Sequence, residues 1–551
     1  MIVSANDQAV ADDLKTDICI VGAGAAGITL ALELMNSGLD VVVLESGGDL
    51  HDLATQALYA GSVENAQLHS PPDRYRERRF GGSTTIWGGR CMPFDSIDFE
   101  QREYVAHSGW PIGLEELAKY YPRANLLCEA GQYAYTTADA FIRPLKPVID
   151  GFHGVHFSIN RLERFSCPTN FGQRYRHRLQ KSDNVRVLLH ANATELVMDT
   201  DQKSVRTVVV RTLAGRSIRI NARQTVLATG GLEVARLLLA SRTQSATGIG
   251  NTYDQVGRYY MCHLAGTIGT VRLKGTAANV HHGYDTADDG VYCRRRFALH
   301  ESVQRERKIS NFIARLHHPR ITDPAHRSSV LSLLYLAKPF IPYEYAKRLH
   351  GDEKGSFGTW LKHLTNVVRR PFDAVEFAWH MLRDRRLAER KFPSIIVKSP
   401  VNLFSIDFHA EQEPNPMSRV YLSTEQDALG MPRLHIDWRY TNQDVETVKC
   451  ALALLADDIA ASGTGIFEYD EESVEHEMTR YGAYGGHHIG TARMGVDPKS
   501  SVVNLNCQVH SIDNLFIASS AVFPTSSQAN PTLTIVAIAL RLADFLKTVR
   551  P

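Results

Sequence analysis

Three stretches of the 551-residue sequence predict an α/β fold. The first is Thr16-Asp17-Ile18-Cys19-Ile20-Val21-Gly22-Ala23-Gly24-Ala25-Ala26-Gly27, an apolar strand entering a glycine turn and then an apolar helix. The second is another apolar strand, Val41 to Leu44, which ends on the acid Glu45. The third is Thr225-Val226-Leu227-Ala228-Thr229-Gly230-Gly231, again a strand meeting a glycine turn, with a helix expected from Leu232 to Ser241. Strands alternating with helices across short glycine turns belong to a Rossmann-like sheet covered by helices.

The first turn carries a ligand expectation. Its glycines let backbone N–H groups approach a pyrophosphate at a helix N-terminus, and the acid after the second strand can bind a ribose hydroxyl. Gly22, Gly24, Ala25, Ala26, Gly27 and Glu45 are therefore the candidate dinucleotide cradle. The turn alone leaves NAD and FAD open.

Composition narrows the class. The chain is 44% hydrophobic and 22% charged, as expected of a folded protein, and it is long enough for two domains. A net charge of +1 gives no general reason to expect nucleic acid. No apolar run reaches the ~18 residues of a spanning helix. Met1 to Lys15 carries acids and lacks the apolar core of a secretory signal. The eight cysteines (Cys19, Cys91, Cys128, Cys167, Cys262, Cys293, Cys450 and Cys507) form no CxxC pair. They read as free thiols of a reducing cytoplasm, with no metal site.

Further elements follow from periodicity. Leu114 to Cys128 has helical spacing, Val185 to Leu189, Val205 to Val210 and Ile218 to Ile220 read as strands, and Leu533 to Val549 is a long amphipathic helix. Between 330 and 391, apolar residues recur at helical spacing (Trp360, Leu361, Leu364, Val367, Val368, then Val375, Ala378, Trp379, Leu382), interleaved with Arg369, Arg370, Arg383, Arg385, Arg386, Arg390 and Lys391. The ordinary expectation is an insertion that packs its apolar face on the protein's own core. The alternative is docking on a membrane interface or a partner.

The C-terminal region holds Gly485-Gly486-His487-His488-Ile489-Gly490-Thr491 and Asn530-Pro531-Thr532-Leu533-Thr534. With the N-terminal turn, Gly81-Gly82-Ser83 leading to Trp87, Gly109-Trp110-Pro111-Ile112, Ala228-Thr229-Gly230-Gly231 and Val256-Gly257-Arg258-Tyr259 with His263, these motifs resemble the glucose–methanol–choline (GMC) family of FAD-dependent alcohol oxidoreductases. Ser166-Cys167-Pro168-Thr169-Asn170-Phe171-Gly172 and the His/Asn pair are most similar to its sugar-oxidising branch, the pyranose-oxidase-like and gluconate- or fructose-dehydrogenase-like enzymes. The segment from about 270 to 400 matches no family motif.

The resemblance implies FAD, held by a Rossmann-like domain of residues 1–95, 190–265 and 482–551. A discontinuous substrate-binding domain, an antiparallel sheet with helices, would take 96–189 and 266–481. Gly81, Gly82, Ser83, Thr84, Trp87 and Gly88 would lie along the isoalloxazine, with Ala228, Gly230, Asn530, Pro531 and Thr532 also at the cofactor. Some relatives tether the flavin through a histidine just before that tryptophan. Here the position is Ile86, so non-covalent FAD is expected.

Alcohol oxidation needs a base for the hydroxyl proton and a hydride acceptor, which flavin provides. The His-x-x-Gly-Thr motif implies His487 as that base, with His488 as its neighbour. Asn530 would hold the substrate oxygen, although Asn before Pro at a helix start is also the pattern of an N-cap. Gln412 and Glu413 are further candidates for substrate contacts. The implied activity is oxidation of a secondary alcohol, a sugar or glycoside hydroxyl, with O2, a quinone or a redox protein as electron acceptor. Alternatives are a non-sugar alcohol of natural-product biosynthesis, a non-redox lyase on the same fold, or a partner-dependent flavoprotein docked through 330–391.

Overall fold

The computed structural model describes residues 1–340, 356–394, 396–480 and 486–549. Two large sheets organise them. The first contains β1 (Ile2–Ser4), β2 (Asp13–Val21), β3 (Val41–Leu44), β4 (Val185–Leu189), β5 (Asn192–Met198), β6 (Val205–Arg211), β7 (Ser217–Leu227) and β8 (Leu515–Ile517). Their order is β1-β4-β3-β2-β7-β6-β5, with β8 also paired to β7. The pairs β1–β4, β4–β3, β3–β2, β2–β7 and β7–β8 are parallel, and β5–β6–β7 forms an antiparallel edge. β4 belongs to this sheet, which therefore starts before the domain boundary expected at 190. Its central strand Val41–Leu44 is buried along its whole length, as a strand covered on both faces is.

Helix α1 (Ala25–Leu34) leaves the first glycine turn, and α2 (Gly230–Ala240) leaves the second. Val21 pairs with Leu227, so the two turns lie side by side at the carboxyl ends of neighbouring strands. That is where open α/β sheets bind ligands.

The second sheet is antiparallel. Its order is Gly465–Glu468, Leu264–Leu273, Leu403–Ala410, Phe312–His317, Tyr292–Leu299, Phe157–Phe165, Arg90–Cys91. The single helix expected over 114–128 is two, Leu114–Ala118 and Tyr121–Leu127. Pro122 sits in the first turn of the second; without an N–H it cannot continue the preceding hydrogen-bond ladder.

The insertion carries α3 (Ser329–Ala337), α4 (Phe357–Arg369) and α5 (Pro371–His380). α4 corrects the expectation of a core-packed apolar face. Its buried residues are His363 and Asn366, and Phe357, Trp360, Leu361, Leu364 and Val368 are exposed. The chain returns through α6 (Thr532–Thr548), which packs along α1.

Candidate active site

The first glycine turn is built by close approach. Gly22 has φ +103°, and a Cβ there would meet the Ala228 carbonyl oxygen at 2.7 Å. A Cβ on Gly27 would fall 1.8 Å from the Gly22 carbonyl oxygen, so only glycine lets α1 start against its own turn. Gly24 has φ −84° and nothing within 4 Å of the place a Cβ would take. No side chain caps α1, so its first N–H groups are available to an anion. Glu45 accepts hydrogen bonds from Ala23 N and Gly47 N, both at 3.0 Å. Burial raises its pKa, partly offset by these backbone donors. The carboxylate shapes the turn and retains lone pairs for a ribose hydroxyl.

The Gly81 loop lies over this turn. Gly81 N donates to Ala23 O, and Gly82 approaches Gly24 so closely that a Cβ would meet its Cα at 3.0 Å. Ser83 and Thr84 lie in the short helical turn Gly82–Thr85. Thr84 Oγ1 donates to Gly81 O at 2.6 Å and accepts from Phe171 N. Trp87 Nε1 donates to Thr169 O at 2.9 Å, and the space at Gly88 is open.

His487 and Asn530, 43 residues apart, meet: Asn530 Nδ2 donates to His487 Nε2 at 3.0 Å. This overturns the N-cap reading of Asn530, since α6 has no side-chain cap and its cap position is Pro531. On the other side of the ring, His487 Nδ1 lies 2.8 Å from His263 Nδ1, and His263 Nε2 lies 3.1 Å from Ser526 O. A carbonyl can only accept, so His263 Nε2 carries its proton. Burial holds the His263 pKa down to about 4, so the ring is neutral and its Nδ1 accepts. His487 therefore donates from Nδ1 and accepts from the Asn530 amide at Nε2.

His488 turns away from its neighbour. Its carbonyl oxygen lies where a Cβ on Gly231 would come within 2.1 Å, packing it on the second glycine turn. His69 Nδ1 donates to Ser70 O at 2.6 Å, so Tyr260 Oη donates to His69 Nε2 at 2.8 Å. His488 Nδ1 must then donate to Tyr260 Oη at 2.6 Å. Burial lowers both histidine pKa values, His69 to about 4. His69, Cys262 and His488 offer ligand atoms within 4.8 Å of one another. Tyr260 Oη bonds to all three, so the group is closed as a hydrogen-bonded cluster.

Residues 17–322 match the family described as FAD dependent oxidoreductase, and residues 414–539 match GMC oxidoreductase. The chain belongs to the FAD-dependent GMC oxidoreductases. A 6'''-hydroxyparomomycin C oxidase of Streptomyces lividus is 25% identical over 96% of this chain and 91% of that protein. The fructose dehydrogenase large subunit of Gluconobacter japonicus is 24% identical over 97% and 98%. Among solved structures, pyridoxine 4-oxidase from Mesorbium loti superposes with a TM-score of 0.54 at 18% identity, covering 96% of this chain and 99% of that one, a likeness of fold.

The GMC oxidoreductase presents residues that fit FAD. Space is open at Gly24, Gly88 and Gly230. Asn530 Oδ1, His488 Nε2 and Thr229 Oγ1 are buried with no hydrogen-bond partner among the described residues. Gln412, expected as a substrate contact, is spent on structure. Its Oε1 accepts from Cys262 N and Trp438 Nε1, and its Nε2 donates to Arg439 O. Glu413 likewise accepts from Ala106 N and Thr441 Oγ1.

Two features escaped the sequence reading. One is the role of His263. The other is Thr525-Ser526-Ser527-Gln528, four consecutive polar residues that are fully buried. Ser527 Oγ donates to Asp98 Oδ2 at 2.6 Å, Thr525 Oγ1 donates to Asp98 O, and Gln528 Oε1 accepts from Arg296. These bonds hold the loop that delivers Asn530. Its signal in the sequence was a polar run between apolar Val522-Phe523 and the start of an apolar helix.

Proposed function

We propose that this GMC oxidoreductase oxidises a secondary hydroxyl of a sugar or glycoside to a ketone, with His487 Nε2 taking the hydroxyl proton. The observation that carries the reading is the ordered chain Asn530–His487–His263–Ser526 O, which supports His487 as a base at Nε2 once the substrate hydroxyl takes the place of the Asn530 amide there. The positive charge gained on protonation is shared through the Nδ1–H bond to neutral His263. Asn530 cannot act as a base; its amide holds the substrate oxygen next to His487. The start of α6 at Pro531 and Thr532 adds a partial positive charge beside it.

Gly22, Gly24, Ala25, Ala26, Gly27 and Glu45 would hold the adenosine diphosphate half of FAD. The Gly81–Gly88 loop, Ala228 and Gly230 would hold the rest. Bound FAD supplies the hydride acceptor. Ile86 offers no nucleophile, so we propose that FAD is non-covalent; acid precipitation should then leave the yellow colour in the supernatant and none in the pellet. The sugar assignment is supported by relatives named for paromomycin-type and fructose substrates. The electron acceptor is a proposal of class only, O2, a quinone or a redox protein.

The test is anaerobic mixing with a panel of sugars and glycosides while the oxidised flavin band near ~450 nm is followed. His487→Ala should slow bleaching by about two to four orders of magnitude. Near-normal reduction by the variant would remove His487 from the base role.

A further inference from the structure

α4 is built inside out. The side chains it turns inward are polar and hydrogen-bonded: His363 is fully buried, lies 3.0 Å from Ser332 Oγ and stacks on Tyr335 at 4.1 Å. Asn366 Nδ2 donates to Pro324 O at 2.9 Å. The outward stripe is Phe357, Leu361, Leu364 and Val368, spaced to share one helix face. Phe357 is 76% exposed and Val368 71%. A helix that spends polar residues on its own protein and leaves its apolar stripe outside is not completing the core.

The next helix and its extension repeat the pattern. Phe372, Val375, Trp379 and Leu382 form a second stripe, with Phe372 83% and Trp379 59% exposed. The surroundings are cationic. Residues 356–391 hold eight Lys/Arg against four Asp/Glu, a local charge of +4 in a chain of net +1. Lys362, Arg369, Arg386 and Lys391 are exposed and form no ion pair among the described residues. No helix of the described residues is long and apolar enough to cross a membrane.

We propose that α4 and α5, with the extension to Leu382, form a docking face for an anionic lipid surface, lying in its interface. Short helices with bulky apolar and Trp side chains on one side and Lys/Arg around them suit that boundary, where the cations meet lipid phosphates. Charge disfavours a second copy as occupant, because a two-fold contact would set +4 against +4. The face is tied to the cofactor side of the molecule. Arg390 donates to Phe165 O and Glu129 O, and Lys391 N donates to Cys167 O. These partners flank the strand and loop whose Thr169 O receives Trp87.

The test is co-sedimentation of full-length holoprotein with phosphatidylglycerol/phosphatidylcholine vesicles and with pure phosphatidylcholine vesicles at 0.1 M salt. Binding at least tenfold stronger to the anionic vesicles is expected. Val368→Asp with Trp379→Asp should abolish it while FAD content and dye-linked turnover stay at wild-type levels. Replacing Arg383, Arg386 and Lys391 by Ser should weaken anionic binding by about a hundredfold. No sedimentation with either vesicle, equal binding by the Asp pair, or a dimer broken by that pair without lipid binding would each overturn the proposal.

Discussion

His263 decides which nitrogen of His487 carries a proton, through the contact between their Nδ1 atoms. Its Nε2–H is committed to Ser526 O, so its Nδ1 can only accept from His487. Replacing it with Phe deletes that acceptor, and the His487 proton can then move to Nε2, where it blocks the base. His263→Phe should lower kcat about tenfold to a hundredfold, less than loss of His487 itself, with KM little changed. His263→Asn, whose carbonyl oxygen can accept, should recover part of the loss. The measurements are anaerobic flavin reduction and steady-state kinetics on preparations of equal FAD content. Equal losses in the Phe and Asn variants would mean that His263 only fills space.

Within the strand–turn–helix element, two neighbouring glycines do separable jobs. Gly27 meets the Gly22 carbonyl, so Gly27→Ala forces α1 off its turn and should lower the Tm of the FAD-free protein together with its FAD content. Gly24 meets nothing and has a φ open to any residue, so Gly24→Ala should keep the FAD-free Tm within a degree or two and lose FAD affinity at least tenfold. Thermal unfolding with and without added FAD separates the two; full FAD affinity in Gly24→Ala would put the pyrophosphate elsewhere. This element was legible from sequence because its signal is local: glycine spacing, apolar strands and the acid at Glu45. α4 was legible as an amphipathic helix and not as an inverted one, because periodicity reveals that a helix has two faces and not which one the protein keeps. Asn530-Pro531 shows the same limit. A capping Asn and a ligand-holding Asn read alike until His487 is found 3.0 Å away.

Across the whole molecule, the loop from Thr525 to Gln528 is held by a polar network at the second sheet. Asp95, Asp98 and Arg102 come from one segment, Arg296 and Asn311 from a second and Glu411 from a third that lies 100 residues beyond Asn311, and Arg102 donates to both oxygens of Glu411. No sequence window contains such a network, so this part of the site was not legible. The interior also holds titratable groups away from their ordinary charge state, and this gives stability a pH dependence. Burial holds His69, His263 and His326 near about 4 and His282 near about 3, against about 6.5 in an unfolded chain. Between those values the unfolded chain binds protons that the native protein refuses, so these histidines subtract stability as pH falls from about 6.5 to 4. Asp98 and Asp444 have the opposite sign. Burial raises both, Asp444 to about 7, so the native protein keeps their protons while the unfolded chain ionises, and acid favours folding through them. The lowered histidines outnumber the raised carboxyls, since His107, His318, His363, His409, His488 and His510 join the first group and Glu45 and Asp285 the second, so the unfolded chain has the larger proton uptake in this window. Tm in excess FAD should therefore fall steadily from pH 6.5 to 4. His282→Gln, which removes a group outside the catalytic chain, should flatten the slope by about 1.4 kcal/mol per pH unit, the value of one proton. Calorimetry at pH 7, 6, 5 and 4 measures both effects. A Tm that holds level or rises down to pH 5 would mean that the buried carboxyls, rather than the histidines, govern the acid limb.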